Sequence, residues 1–125
     1  MLELYDYLKS CGVFYFATVE DDQPRVRPLH AAVLFDGKVY FRVGKDKGVT
    51  AQLLQNPKCE LCAFSGKDWM RITCKALPSG DSAVLAAVNA LHPLRDGDGC
   101  PQLFYLTEGT ALLARYAQPV KTIRF

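Results

Sequence analysis

The sequence lacks several features that would place it in a common functional class. It has no apolar run of membrane-spanning length, and the segment from Met1 to Lys9 carries Glu3 and Asp6 instead of the basic start of a signal peptide. A formal net charge of +2 is too small to favour a general nucleic-acid-binding surface. It has no glycine-rich dinucleotide motif and no internal repeat. We therefore expect a cytoplasmic protein that binds neither membranes nor nucleic acid.

Cysteine and histidine are too few and too irregularly spaced for a metal or disulfide framework. The five cysteines are an odd number, which favours reduced thiols. Cys59 and Cys62 lie three residues apart on a predicted strand, so they should face opposite sides, and no second ligand pair accompanies them. His30 and His92 are the two histidines, and no nucleophile–histidine–acid arrangement can be built from them. We predict no metal site and leave catalytic residues unassigned.

The pattern of apolar residues and turns predicts one mainly β domain over residues 1–125. Alternating apolar residues and turn signals such as Asp36-Gly37 indicate six strands, and helical spacing of apolar residues indicates short helices between them. So many strands favour an antiparallel β-barrel, because closing the sheet removes its exposed edges. The predicted helices are 2–10, 49–55 and 79–91, and the predicted strands are 13–19, 24–35, 38–43, 58–64, 69–77 and 103–116.

Two groups of basic residues predict an anion site. Arg25 and Arg27 alternate along a strand and therefore face the same side. Lys45 and Lys47 precede a predicted helix, whose first N–H groups attract a phosphate. The alternative for the arginines is pairing with acidic neighbours such as Asp21, and the alternative for the lysines is solvation in a loop. We favour a phosphorylated ligand.

The order of these motifs resembles a known family. The segments Gln23 to Pro28, Gly37 to Phe41, Gln52 to Pro57 and Trp69 to Ile72 occur in the order and spacing of the pyridoxamine 5'-phosphate oxidase-like proteins, the FMN-binding split barrels. The resemblance covers the chain from the first helix to the C-terminus and is strongest to short single-domain members. It implies a six-stranded antiparallel split β-barrel, a homodimer, and FMN bound in clefts at the dimer interface.

The resemblance also implies a set of cofactor-binding residues. Arg27 falls on the position that contacts the FMN phosphate, and Trp69 falls on a position near the flavin ring. Lys45 and Lys47 depart from the family pattern, because they lie N-terminal to the usual phosphate-binding positions. The full predicted set is Arg25, Arg27, Pro28, Leu29, His30, Arg42, Val43, Lys45, Lys47 and Trp69.

Three functions remain open from the sequence. The first is an FMN-dependent oxidoreductase that transfers electrons or hydride between FMN and an unidentified small-molecule partner; the oxidation of vitamin B6 is not implied. The second is a protein of the same fold that binds flavin, deazaflavin or haem without turnover. The third is a structural or regulatory dimer with a vestigial pocket. Two residues also keep alternative roles. Trp69 could contact flavin or plug the barrel, and His30 could contact a ligand or have a structural role only.

Overall fold

The computed structural model describes all 125 residues as three helices and eight strands. In chain order these are α1 (Leu2–Cys11), β1 (Phe14–Glu20), β2 (Gln23–Leu29), β3 (Ala32–Phe35), β4 (Lys38–Gly44), α2 (Gly48–Gln55), β5 (Lys58–Ser65), β6 (Asp68–Ser79), α3 (Ser82–Leu91), β7 (Pro101–Ala114) and β8 (Lys121–Arg124).

The strands form a single sheet, and its two edge strands are consecutive in the chain. Their order is β2-β1-β5-β6-β7-β4-β3, with β8 paired to β7, and every pairing is antiparallel. The end strands β2 and β3 are joined by His30 and Ala31 alone. The sheet must therefore curl until its ends are adjacent, as barrel closure requires. The predicted class, a mainly antiparallel split β-barrel with a few short helices, is confirmed.

The barrel interior is filled by one apolar cluster of 22 buried residues. Phe41 lies at its centre, with ring centroids 4.7 Å from Phe16 and 5.7 Å from Phe104. Alternation produces this core, because every second residue of β5 from Cys59 to Ala63 is buried while those between them are exposed. The helices α1 and α2 pack onto the same cluster through residues such as Leu4 and Leu53.

The number of strands differs from the six that the sequence predicts, for two reasons. The predicted strand 24–35 is wrong as a single strand, because the chain turns between β2 and β3, where Ala32 N–H donates to the carbonyl of His30. The Ala31 carbonyl instead accepts from the backbone of Arg42, which pulls the chain toward β4. The second reason is β8, which lies beyond the last predicted strand. Elsewhere, the predicted ends of the strands differ from the observed ends by only a few residues.

The three helices occur where the apolar spacing predicts them. Asp81 caps α3, since its carboxylate accepts from the backbone N–H groups of Ala83 and Val84 at 2.9 Å and 3.3 Å. His92 ends α3, as the following proline suggests, and Asn56 ends α2 before Pro57. None of the helices is long and apolar enough to cross a lipid bilayer.

Candidate functional site

The main candidate site is a cleft of about 620 Å³ at one end of the barrel. It lies between the end of β2, the end of β4 and the segment that follows α3. Its volume falls in the range of roughly 300 to 1,000 Å³ that is usual for small-molecule sites. Six of the ten residues predicted from the sequence line it: Pro28, Leu29, His30, Arg42, Val43 and Lys47.

One wall of the cleft depends on a glycine at the end of β4. A Cβ added at Gly44 would lie 2.8 Å from Cγ of Lys47, so only glycine leaves room for the lysine stem. The Gly44 carbonyl accepts from the Thr50 hydroxyl at 2.7 Å and from the Lys47 backbone at 3.1 Å. These bonds fix the start of α2 against β4. The lysine is thereby held at the rim of the cleft.

The start of α2 offers unpaired donors beside this lysine. Lys47 is the residue before the first helical position, and no side chain caps the helix. The first N–H groups of a helix have no intrahelical partner, and the helix dipole adds partial positive charge there. An ammonium group next to free N–H groups is the arrangement that binds phosphate.

Arg42 lines the cleft but is already bound on its α3 side. One of its guanidinium nitrogens, Nη1, donates to Oδ1 of Asn89 at 2.6 Å and to the carbonyl of His92 at 2.5 Å. Partial burial lowers the pKa of Arg42, an effect that the nearby Asp98 opposes. Arg42 therefore connects β4 to the end of α3.

The two histidines lie next to each other in the same cleft. The ring centroids of His30 and His92 are 5.5 Å apart in an edge-to-face arrangement. Burial lowers the pKa of His92, and the charges of His30, Arg42 and Lys9 lower it further. These effects favour the neutral form of His92. A bound anion would reverse this effect.

Arg27 belongs to a hydrogen-bond network on the inner side of β2. Its Nη1 donates to the carbonyl of Phe16 at 3.1 Å and to the Thr18 hydroxyl at 2.7 Å, and its Nη2 donates to Oε1 of Gln52 at 2.6 Å. Gln52 also lies next to the start of α2, because its amide nitrogen is 3.2 Å from where a Cβ of Gly48 would stand. Arg27 consequently lies beside the first turns of α2 but does not line the cleft.

The other predicted site residues lie outside the cleft. Arg25 faces the same side as Arg27, as alternation predicts, and its Nη2 is 2.9 Å from Oε1 of Glu20. This hydrogen bond lowers the pKa of the Glu20 carboxyl. Lys45 is exposed, and its backbone donates to the carbonyl of Cys100 at 2.7 Å. Arg25 is thus paired with an acidic neighbour, and neither Arg25 nor Lys45 lines the cleft.

Trp69 neither plugs the barrel nor lines this cleft within one chain. It pairs with Phe64 across β5 and β6 on the outer face of the sheet, while its neighbour Met70 is buried. The guanidinium of Arg71 lies 5.5 Å from the centroid of its ring. The alternative in which Trp69 fills the barrel is therefore wrong.

Several residues that build the site were not predicted from the sequence. Gln52 and Asn89 are the partners of the two partly buried arginines, and Arg95 and Asp98 line the cleft from the loop before β7. The available signal for both Gln52 and Asn89 was a polar side chain within a largely apolar helix. Their partners are far away in the chain, so that signal alone does not name them.

A curled antiparallel sheet with a basic cleft at one end defines a small antiparallel β-barrel protein. The profile described as pyridoxamine 5'-phosphate oxidase matches residues 3–101. A NimC/NimA family protein from Clostridium acetobutylicum is 31% identical with a TM-score of 0.92, and the match covers 100% of this chain and 92% of that one. The chain therefore belongs to the pyridoxamine 5'-phosphate oxidase family.

More distant structures share the fold. General stress protein 26 from Bacillus anthracis is 14% identical with a TM-score of 0.75, over 99% of this chain and 97% of that one. A protein from Clostridium acetobutylicum related to general stress protein 26 of Bacillus subtilis is 16% identical with a TM-score of 0.71, over 99% and 93%. No curated protein sequence matches the chain.

Proposed function

We propose that the protein is an FMN-binding flavoprotein and a small oxidoreductase, working as a homodimer. The observation that carries this proposal is the cleft, which combines apolar walls with a basic end beside a helix start. Leu29, Val43 and Leu94 supply apolar surface for a flat ring system, and Lys47 supplies the charge for a phosphate. The family expectation for FMN and the lining of the cleft therefore agree.

The residues of the chain fit FMN in two separable regions. Lys47 and the N–H groups of the first turn of α2 would hold the phosphate, with Arg27 beside them through Gln52. Pro28, Leu29 and Val43 would contact the ring and ribityl groups. When bound, FMN supplies the chemistry of electron or hydride transfer, while the protein binds it, orients it and limits its contact with water.

The phosphate assignment is tested by comparing FMN with riboflavin, which lacks the phosphate. Purified protein should bind FMN at least about 100-fold tighter than riboflavin, because charge-assisted hydrogen bonds contribute roughly 1.5 to 3 kcal/mol each. Lys47→Met should weaken FMN binding about tenfold or more and leave riboflavin binding unchanged. Flavin fluorescence quenching measures both affinities.

Lys58→Met is the matched control, since Lys58 is an exposed lysine on β5 outside the cleft. Equal weakening of FMN and riboflavin by Lys47→Met would remove Lys47 from the phosphate site. Protein that binds neither flavin would refute the proposal. Reduction of the bound flavin by NAD(P)H or another donor, followed by turnover of an acceptor, separates an enzyme from a carrier.

A haem-binding protein is the second candidate, favoured by the two adjacent imidazoles. His30 and His92 both line the cleft, and imidazole nitrogens are common axial ligands of haem iron. A Soret band in the purified or haem-titrated protein would favour this candidate over FMN. A deazaflavin would instead be recognised by its own absorbance and by competition with FMN.

A further inference from the structure

A second, smaller pocket adjoins the cleft behind the histidine pair. Its volume is about 190 Å³, and it lies between the C-terminal half of α1, the start of β1, the start of β3 and the end of α3. Three residues line both this pocket and the cleft: His30, Leu91 and His92. The histidine pair therefore stands between a large basic cleft and a small pocket of different character.

The inner surface of this pocket is apolar. Leu8, Phe14 and Ala32 form its floor and are almost completely buried, at 3%, 2% and 8% exposure. The apolar surface that a ligand can reach belongs mainly to the more exposed Tyr5 and Leu91. An engineered apolar cavity of about 150 Å³ is large enough to bind benzene, so a pocket of this size accepts a single six-membered ring. Gly12, which ends α1 with φ of 77°, also lines the pocket and adds no side chain to it.

The opening of the pocket is basic. Lys9, His30 and His92 line it, and none of its nine lining residues is acidic. Burial lowers the pKa of His92, and the nearby His30 and Lys9 lower it further. A negatively charged group at this position would be attracted by the ammonium of Lys9, and the two imidazoles can each donate a hydrogen bond to it. An apolar ring that carries one carboxylate matches both regions.

We infer that this pocket binds a small monocyclic aromatic carboxylate, with its ring against Tyr5 and Leu91 over the floor of the pocket and its carboxylate at His30, His92 and Lys9. As a substrate site for the bound cofactor, this inference rests on the proposed function, since the pocket opens beside the cleft proposed for FMN. The binding itself needs only the residues of one chain.

Benzoate is the probe that tests the inference, with benzyl alcohol and acetate for comparison. Calorimetry on the wild-type protein should show benzoate binding at least tenfold tighter than benzyl alcohol, which has the ring but no charge. It should also bind at least tenfold tighter than acetate, which has the charge but no ring. Nuclear Overhauser contacts from the benzoate ring should reach Phe14 and Leu8. Equal affinities of the three probes, or contacts elsewhere, would overturn the inference.

A variant with a filled pocket gives an independent test. Ala32→Leu places a larger side chain in the pocket and should weaken benzoate binding at least tenfold. Ala86→Leu adds the same atoms on an exposed position of α3 and should leave benzoate affinity unchanged. The comparison of the three probes on wild-type protein stands even where Ala32→Leu does not fold. Unchanged benzoate affinity in folded Ala32→Leu protein would refute the assignment.

The order of binding distinguishes this inference from the proposed function. Benzoate should bind both the FMN-free and the FMN-loaded protein. If FMN abolishes benzoate binding, the small pocket is part of the cofactor site and the inference fails. If benzoate binds as expected but no flavin does, the pocket stands and the proposed function fails.

Discussion

At the scale of single residues, Gln52 is the acceptor on which the inner arginine network depends. Its Oε1 accepts from the Thr18 hydroxyl at 2.5 Å and from Arg27 at 2.6 Å, and its amide donates to Glu20 at 3.3 Å. Both Thr18 and Gln52 are buried. Gln52→Leu keeps a side chain of similar size but leaves the hydroxyl and the guanidinium without their shared acceptor. We expect a loss of about 1 to 3 kcal/mol in the free energy of unfolding, measured by urea denaturation.

Gln55→Leu is the control for this change, because Gln55 is an exposed glutamine on the same helix. Its effect should stay within about 0.5 kcal/mol, as for most surface substitutions. A destabilisation of equal size in both variants would show that helix composition, rather than the network, explains the result. FMN affinity measured on folded Gln52→Leu protein then reports whether the orientation of Arg27 affects cofactor binding.

The sequence predicts which face of a strand a residue occupies better than it predicts the partner that the residue contacts. Alternation along a strand correctly predicts that Arg25 and Arg27 share a face, and that Cys59 and Cys62 face opposite sides; of these two cysteines, Cys59 is buried and Cys62 is exposed. It does not predict what they face, because that depends on residues distant in the chain. Gln52 is 25 positions from Arg27, and Cys74, whose Sγ lies 3.6 Å from that of Cys59, is 15 positions away. The Cys59–Cys74 pairing follows from strand register, and the Arg27–Gln52 pairing follows from the packing of α2 on the barrel; local pattern contains neither.

At the scale of elements, Arg42 holds α3 to the sheet. Its guanidinium donates to Asn89 within the last turns of α3 and to the His92 carbonyl at the helix end. Val84 and Val88 of this helix are buried in a second apolar cluster with residues of β3, β4 and β7, and Arg42 adds polar bonds at the C-terminal end of the helix. Arg42→Met removes both bonds. We expect amide hydrogen exchange across α3 to become at least about tenfold faster, with little change in β5 and β6.

Arg124→Met is the control, since Arg124 is an exposed arginine on β8, away from α3. It should leave exchange in α3 unchanged. Slow exchange in α3 of the Arg42→Met protein would contradict the tether. Equally faster exchange throughout the chain would instead assign Arg42 to global stability.

Elements were predictable where the local pattern was strong and not where a corner was set by pairing. The helices and most strands follow from periodicity and from stop signals such as Asn56-Pro57. The corner at His30 contains no glycine or proline to mark it, and it forms because Ala31 bonds to β4 instead of continuing β2. This corner also places His30 in the cleft. The bond from Ala31 to β4 thus explains both the break between β2 and β3, which the sequence did not predict, and the position of His30 in the cleft.

At the scale of the whole molecule, an apolar surface on the outer face of the sheet favours association between two copies. Val26, Tyr15, Phe64 and Trp69 lie on the neighbouring strands β2, β1, β5 and β6, with exposures of 68%, 46%, 64% and 37%. They share this face with the exposed ion pair of Arg71 and Glu60, and exposed apolar side chains grouped on one face favour an interaction surface. It carries Trp69, which the family resemblance assigns to the cofactor but which one chain holds away from its own cleft. A dimer through this face would place Trp69 of one copy near the partner.

We call this face the outer patch and define it by Val26, Tyr15, Phe64 and Trp69. Sedimentation equilibrium should show a dimer for the wild-type protein. Phe64→Glu should weaken dimerisation at least about 100-fold, because burying an unpaired charge in an apolar interface costs several kcal/mol. Leu54→Glu makes the same change at a residue of similar exposure, 60%, on α2, and should remain a dimer.

Flavin binding by the same two variants connects the patch to the site. If FMN lies at the interface between two copies, Phe64→Glu should lose FMN affinity in parallel with dimerisation, and raising the protein concentration should restore both. Folded Phe64→Glu monomer that binds FMN as tightly as the wild type would show that one chain forms the whole site. Wild-type protein that stays monomeric at all concentrations would refute the interfacial arrangement, and Trp69 would then have no part in cofactor binding.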